Sequence, residues 1–147
     1  ALGLYECFLN GTRVGDEELA PGWTDYAQRV RYQTYDVTEL LGAQNEWRAL
    51  LGDGWYCGSV SNQGRQIYGD RPRFLAQLEI TFRDGSRQTI VTDESWQWSS
   101  GPILEADLLM GQSHDARREY SHWQPVSTWT PEREIELSAP IGPPVRA

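Results

Sequence analysis

Short apolar runs separated by turn residues make up the hydropathy pattern of this chain. The clearest hairpin signal lies near the N-terminus, where an apolar and aromatic run ends at Asn10-Gly11, a dipeptide typical of two-residue turns. Further runs alternate apolar and polar side chains with a period of two, which indicates half-buried strands. The predicted strands are residues 2–9, 12–14, 30–37, 47–51, 74–82, 88–92, 96–98 and 103–109.

The segments between these runs predict turns and at most one or two short helical turns. Residues 36–42 are typical of a single helical turn that is capped by Asp36 or Thr38 and closed by Gly42. Residues 58–71 are predicted to form a long loop, and residues 111–120 a loop with a short helical turn. Short strands at regular spacing, with turn signals between them, predict an all-β sandwich with mostly antiparallel pairing.

Length and proline distribution predict one folded domain and a short tail. A chain of 147 residues fits one domain with a sizeable core. Because prolines accumulate towards the C-terminus, we assign residues 1–137 to the β-sandwich and residues 138–147 to a linker or exit strand leading to a following domain. Residues 1–5 resemble the middle of a strand, so we expect that the N-terminal strand is truncated and that any signal peptide is missing with it.

Charge and cysteine content narrow the classes of partner. The formal net charge is −8, and every basic residue is arginine. An acidic surface repels phosphate backbones and anionic membranes, so neither nucleic acid nor a membrane is an expected partner. No apolar run approaches the roughly 20 residues of a membrane span. Cys7 and Cys57 could form one disulfide or remain free thiols, and the sequence leaves both possibilities open.

Aromatic residues beside single acids form the candidate functional residues. Trp23 and Tyr26 flank Asp25 after a Pro-Gly turn, and a second segment sets Asp53 before Trp55 and Tyr56. Aromatic faces stack on the C–H surfaces of sugars, while carboxylates accept hydrogen bonds from hydroxyl groups or bind a hard cation. This combination indicates a carbohydrate-binding surface. The competing interpretation is that the aromatic residues fill the core and that the glycines only terminate strands.

The sequence does not favour catalysis by this chain alone. A glycosidase needs two carboxyl groups flanking the scissile bond. The candidate pairs are Asp25 with Asp53 and Asp53 with Asp70, and the sequence does not show that either pair converges in space. Acids beside glycine turns are usually solvated or cap a turn. His114 and His122 lack the partners of a zinc site, and the chain contains no nucleophile elbow, P-loop or dinucleotide fingerprint.

Ordered motifs over nearly the whole chain resemble the N-terminal module of bacterial α-L-rhamnosidases of glycoside hydrolase family 78. The motifs are Asn10-Gly11, Pro21-Gly22-Trp23-Thr24-Asp25-Tyr26, Tyr35-Asp36-Val37-Thr38, Gly52-Asp53-Gly54-Trp55-Tyr56, Tyr68-Gly69-Asp70-Arg71-Pro72, Asp93-Glu94-Ser95-Trp96 and Asp115-Ala116-Arg117. The resemblance implies a jelly-roll, galactose-binding-like β-sandwich related to carbohydrate-binding module family 67. It also implies a non-catalytic accessory domain, because the catalytic glutamates of that family lie in a following (α/α)6 barrel. The expected partner is then the rest of the parent rhamnosidase chain, in a bacterial protein that is either cytoplasmic or secreted.

The resemblance further implies a loop cleft that holds L-rhamnose, or a rhamnosylated glycan, together with a calcium ion. The predicted sugar-binding residues are Trp23, Asp25, Tyr26, Asp53, Trp55, Tyr56, Tyr68, Asp70 and Pro72, with Asp25 as the calcium ligand. Three places depart from the pattern. Tyr26 stands where an amide is expected, Ile67 stands where a polar residue is expected, and Gly111-Gln112-Ser113-His114 stands where relatives often have an acid and a Tyr. The first two changes remove oxygen ligands. The alternative function is therefore a purely structural module that packs against the catalytic barrel.

Overall fold

The computed structural model describes residues 1–146 of the chain. Over these residues it has eleven strands, one short helix and two 3₁₀ turns. The strands are β1 (Leu4–Leu9), β2 (Thr12–Val14), β3 (Arg29–Arg31), β4 (Trp47–Gly52), β5 (Gln77–Thr81), β6 (Arg87–Val91), β7 (Gln97–Trp98), β8 (Ile103–Asp107), β9 (Gly111–His114), β10 (Gln124–Pro125) and β11 (Glu136–Ser138). The helix α1 spans Gly54–Cys57, and the 3₁₀ turns span Thr38–Leu40 and Ser61–Gln63.

The N-terminal hairpin is confirmed and belongs to a three-stranded antiparallel sheet. Strand β1 pairs with β2 on one side and with β4 on the other. The connecting turn places Asn10 at φ 52° and Gly11 at φ 78°, the left-handed conformation that an Asn-Gly turn supplies at low cost. Leu9 is 3% exposed, so the end of β1 contributes to the core.

The remaining strands form two-stranded sheets. Strands β5 and β6, β7 and β10, and β8 and β9 pair antiparallel, whereas β3 and β11 pair in parallel. The predicted turn at Asp84-Gly85 joins β5 to β6, with Gly85 at φ 85°. Along β5 the odd positions are exposed and Leu78 and Ile80 are half-buried, as the alternating pattern predicts. The all-β class with mostly antiparallel pairing and short helical turns is confirmed.

Five buried side chains form one cluster, and two of them are candidate residues. Leu2, Tyr26, Val30, Tyr56 and Cys57 are buried together. Trp55, Tyr68 and Ile135 pack against this cluster and are themselves half-buried. The core of the fold and the candidate site therefore share residues, and the aromatic side chains are divided between the two.

Strand β3 is shorter than the sequence predicts. It ends at Arg31, although the alternating pattern extends to residue 37. Its partner β11 ends at Ser138, whose carbonyl accepts the last bond of the pair from the Tyr32 amide. A strand needs a partner for its backbone groups, and beyond this point β11 supplies none. The chain continues to Asp36, whose carboxylate accepts hydrogen bonds from the Thr38 amide and hydroxyl at the 3₁₀ turn.

Residues 111–114 form strand β9, and the prediction of a loop with a helical turn there is wrong. Each residue of β9 is exposed, so the segment lacks the alternation that marks a half-buried strand. Pairing with β8 across a tight turn supplies its order instead.

Cys7 and Cys57 are buried free thiols. In the described residues no helix is long and apolar enough to cross a membrane.

The C-terminal segment runs back over the N-terminal half of the chain. The Glu18 amide donates to the Val145 carbonyl at 2.8 Å, and the Arg146 Nε lies 2.6 Å from Asp16 Oδ2. Strand β11 crosses the boundary that we assigned between residues 137 and 138. That boundary between sandwich and exit segment stays a prediction.

Candidate functional site

A tryptophan from a loop and a tryptophan from α1 stack at the surface. Gly22, at φ 88°, turns the chain into Trp23, and α1 presents Trp55. Their ring centroids lie 6.0 Å apart and their planes differ by 5°. Trp23 is 49% exposed, so a ring that contacts Trp55 on one side keeps a large accessible surface. The two segments that the sequence identified separately are therefore adjacent in space.

Three tyrosines lie beneath this pair. Tyr26 meets Tyr56 edge to face at 5.4 Å and meets Tyr68 in the same way at 5.2 Å. Tyr26 is 2% exposed and Tyr56 is 6% exposed, and burial raises the pKa of Tyr26 well above its ordinary value. Gly69 lies directly against the Tyr56 ring, where a side chain would not fit. Tyr26 and Tyr56, which the sequence predicted as sugar contacts, are core residues in this structure, and Tyr68 is half-buried beside them.

Asp25 is exposed at the edge of a shallow cleft. Its Oδ1 accepts a hydrogen bond from the Ala27 amide at 3.1 Å, and its Oδ2 accepts one from Gln28 Nε2 at 2.5 Å. The cleft has a volume of about 300 Å³ and is lined by Asp25, Gln28, Arg29 and Glu136. Arg29 pairs with Glu136 at 2.9 Å. Asp25 therefore retains lone pairs that a ligand hydroxyl or a cation could use.

Asp53 faces an arginine rather than this cleft. Arg65 Nη2 lies 2.5 Å from Asp53 Oδ2, and Arg65 Nη1 lies 3.4 Å from Asp107 Oδ2. The Cys57 thiol lies 3.3 Å from Asp53 Oδ1, and burial together with this carboxylate raises the thiol pKa to about 12. Asp53 thus links the start of α1 to the end of β8 through Arg65.

Asp107 is the buried carboxylate that the sequence analysis missed. Its side chain is 1% exposed. Oδ2 accepts a hydrogen bond from the Ser59 amide at 2.7 Å, and Oδ1 accepts from the Leu109 and Met110 amides at 2.8 and 3.0 Å. Burial alone would raise its pKa, but the backbone N–H donors outweigh burial and hold the pKa at about 2. No sequence signal distinguishes Asp107 from any other acid before a turn.

Asp70 forms ion pairs within its own loop, and Pro72 lies near the N-terminus. Asp70 pairs with Arg71 at 2.8 Å and with Arg73 at 3.5 Å, and these partners lower the pKa of its carboxyl group. Pro72 packs near Gly3, and the backbone groups of Arg73 exchange two hydrogen bonds with Leu2. Ile67 is 38% exposed at the start of this segment.

The predicted residues therefore separate into three groups. Trp23, Trp55 and Asp25 lie at or near the surface of one loop region, since Trp23 and Asp25 are two residues apart. Tyr26, Tyr56 and Tyr68 support that region from below. Asp53 and Asp70 form ion pairs with arginines, and Pro72 lies near Gly3. Across residues 1–146 no three His, Cys, Asp or Glu side chains come close enough to bind a metal ion.

The mostly antiparallel all-β fold, with an aromatic cluster at its loops, places the chain in the class of β-sandwich-like modules. A family model described as the α-L-rhamnosidase N-terminal domain matches residues 1–146. The chain belongs to this family.

Relatives in sequence and in structure agree with this assignment. The chain is 53% identical over 125 residues to an α-L-rhamnosidase of Streptomyces avermitilis and 37% identical over 126 residues to one of Alteromonas sp.. These alignments cover 84% of the chain but only 12% and 14% of the relatives. The chain thus spans about an eighth of their length.

Two solved structures superpose on nearly the whole chain. The crystal structure of Streptomyces avermitilis α-L-rhamnosidase complexed with L-rhamnose gives a TM-score of 0.92 at 44% identity, covering 99% of this chain and 15% of that one. The native α-L-rhamnosidase of Aspergillus terreus gives a TM-score of 0.87 at 40% identity, with 99% and 18% covered.

Proposed function

We propose that this chain is a non-catalytic accessory domain of an α-L-rhamnosidase and that it binds an L-rhamnose unit at the Trp23 surface. The single observation that carries this proposal is the exposed Trp23 ring, stacked on Trp55 and two residues from the exposed Asp25 carboxylate. A tryptophan ring left half-exposed offers an apolar face to the C–H groups and the methyl group of a deoxy sugar. The Asp25 oxygens would accept hydrogen bonds from its hydroxyl groups.

The buried tyrosines support sugar binding at the Trp23 surface, because they hold the loop that forms it in one conformation. Tyr26 belongs to the same loop as Trp23, and its contacts with Tyr56 and Tyr68 anchor that loop to the core. A preformed platform loses less conformational entropy on binding than a mobile loop does. We therefore assign Tyr26, Tyr56 and Tyr68 a supporting role in the proposed site.

We propose calcium binding only together with the sugar, so that protein and sugar oxygens coordinate the ion jointly. Ca²⁺ takes about six to eight oxygen ligands. In the cleft the carboxylates available to it are Asp25 and Glu136, and the latter is already paired with Arg29. This donor set fits a calcium ion only if sugar hydroxyls and backbone carbonyls supply the remaining oxygens, with Asp25 as the principal protein ligand.

The proposal assigns no catalytic step to this chain. A glycosidase general acid needs a raised pKa, whereas the neighbouring arginines lower the pKa of Asp70. Asp53 is ion-paired with Arg65. Hydrolysis in the family of the parent enzyme is therefore proposed to occur in the part of the polypeptide outside this chain.

Calorimetric titration with L-rhamnose, once with calcium and once with a chelator, tests the proposal. We expect saturable heat, and we expect Trp23→Ala to weaken binding about five- to thirtyfold, because one ring–sugar stack contributes about 1–2 kcal/mol. Asp25→Ala should remove any calcium-dependent part of the signal. Trp98→Ala is the matched control, since Trp98 is 51% exposed on strand β7, whereas Trp23 lies in a loop. Absence of heat up to tens of millimolar sugar, or equal losses for Trp23→Ala and Trp98→Ala, would refute sugar binding at this surface.

A structural role is the second candidate, and the extent of the exposed surface favours it. The accessible area is 10715 Å², whereas a compact monomer of 16.8 kDa exposes about 7,600 Å², so the excess is about 3,000 Å². Large apolar side chains contribute to it, among them Leu75, Trp98, Trp123 and Leu137. An excess of this size is what a domain cut from a larger packed assembly would expose. Under this alternative, the rhamnose titration gives no heat and the domain stabilises its parent enzyme.

A further inference from the structure

We propose that the turn between β8 and β9, made of Leu108, Leu109 and Met110 and here named the β8–β9 tip, docks into another domain of the same α-L-rhamnosidase polypeptide. The inference rests on the family of the chain and not on sugar binding at Trp23. Leu108 is 39% exposed, Leu109 is 59% exposed and Met110 is 77% exposed. They are three consecutive large apolar side chains at the end of a hairpin.

The exposure of the tip is not accounted for by the fold of this chain. Single exposed apolar residues are ordinary, but a contiguous apolar patch marks a site of interaction. Leu104 on β8 is 46% exposed and extends the apolar surface along the hairpin, whereas β9 contributes the polar side chains of Gln112, Ser113 and His114. A two-stranded ribbon is marginally stable alone, so this hairpin gains stability from any surface that covers its apolar end.

The backbone of the tip is held rigid from below. The buried Asp107 carboxylate accepts hydrogen bonds from the Leu109 and Met110 amides, and its other oxygen accepts one from the Ser59 amide near α1. The tip is therefore anchored to the loop after α1 and is not a free hairpin end. An apolar group that is ordered before binding loses little conformational entropy on docking. This combination of a rigid support and exposed Leu and Met side chains suits a contact that fits into a pocket of a partner domain.

We assign the occupant to the same polypeptide because the matched α-L-rhamnosidases are several times longer than this chain. The alignments cover 12% and 14% of the relatives, so these rhamnosidases contain several times as much polypeptide as this chain. A tethered domain meets its partner at an effective concentration of millimolar order. A second copy is disfavoured, because two chains that each carry a net charge of −8 repel one another.

Met110 provides the test, since it is the single methionine of the chain. Peptide-resolved mass spectrometry would follow its oxidation by hydrogen peroxide in the native parent rhamnosidase and in the same protein unfolded in guanidinium. We expect oxidation in the native enzyme to be at least about tenfold slower, because sulfoxide formation follows exposure. Equal rates in the two states would overturn the proposal. Protection that disappears on dilution would assign the tip to a second copy, which would also overturn it.

A variant of the parent enzyme supplies an independent readout. Leu109→Ser combined with Met110→Ser should lower the thermal midpoint of the parent enzyme or separate one unfolding transition into two. Ile90→Ser is the matched control, since Ile90 is 40% exposed on β6, outside the tip. A double variant that unfolds as the parent does would count against docking. Rhamnose binding at the Trp23 surface should be unchanged in the double variant, so the failure of either proposal leaves the other testable.

Discussion

Replacing Asp107 should destabilise the fold more than any other change to an acidic side chain. Asp107→Ala leaves the buried Ser59 amide without a partner, which costs about 1–3 kcal/mol. The Leu109 and Met110 amides also lose an acceptor, although the exposed side chains around them admit water, and Arg65 loses one of its two carboxylates. We expect a total loss of about 3 kcal/mol in the free energy of unfolding.

The pH dependence distinguishes the charge of Asp107 from its shape. The pKa of this carboxyl group is about 2 in the fold and about 3.8 when it is unperturbed. A lowered pKa means that the contribution to stability is complete above pH 4 and is lost as the pH falls from 4 towards 2, with an amplitude of about 2 kcal/mol. Asp107→Asn keeps the shape but cannot ionise, so the stability difference between the parent sequence and this variant should shrink over that interval.

Urea unfolding followed by tryptophan fluorescence at pH 7, 5, 3 and 2 would measure both effects. Asp93→Asn is the matched control, because Asp93 accepts bonds from the amide and hydroxyl of Ser95 in an exposed turn. It should have a much smaller effect than either Asp107 variant. A stability difference between the parent sequence and Asp107→Asn that does not change between pH 5 and pH 2 would refute the reasoning.

Two further predictions concern the packing of the aromatic core and the burial of the Cys57 thiol. Gly69→Ala should cost about 1–3 kcal/mol in the free energy of unfolding, because its methyl group would meet the Tyr56 ring; a urea midpoint equal to that of the parent sequence would contradict this. Cys57 should resist iodoacetamide at pH 8 until the chain unfolds, since the thiol is 1% exposed and its pKa is about 12; rapid labelling of folded protein, read by mass spectrometry, would contradict its burial.

The strands that could be predicted are those whose side chains show an apolar run or a regular alternation in the sequence. Residues 4–9 and 77–81 carry apolar runs or alternation, and the turns after them need residues that tolerate positive φ, which Gly11 and Gly85 provide. Strand β9 could not be found in this way, because all of its side chains are exposed and its order comes from pairing with β8. The length of β3 was overestimated, because its side chains alternate beyond Arg31 but its pairing stops where β11 ends.

The all-β class, the family and the set of aromatic and acidic residues around the candidate site could be predicted from the sequence. Turn chemistry, periodicity and ordered motifs are local properties of the chain and are visible without the fold. Which of those residues face solvent became known from the three-dimensional arrangement. Trp23 and Tyr26 lie three positions apart in the same sequence motif, yet Trp23 is 49% exposed and Tyr26 is 2% exposed. Tyr26 is buried by its contacts with Tyr56 and Tyr68, which are distant in sequence and meet Tyr26 only in the folded chain.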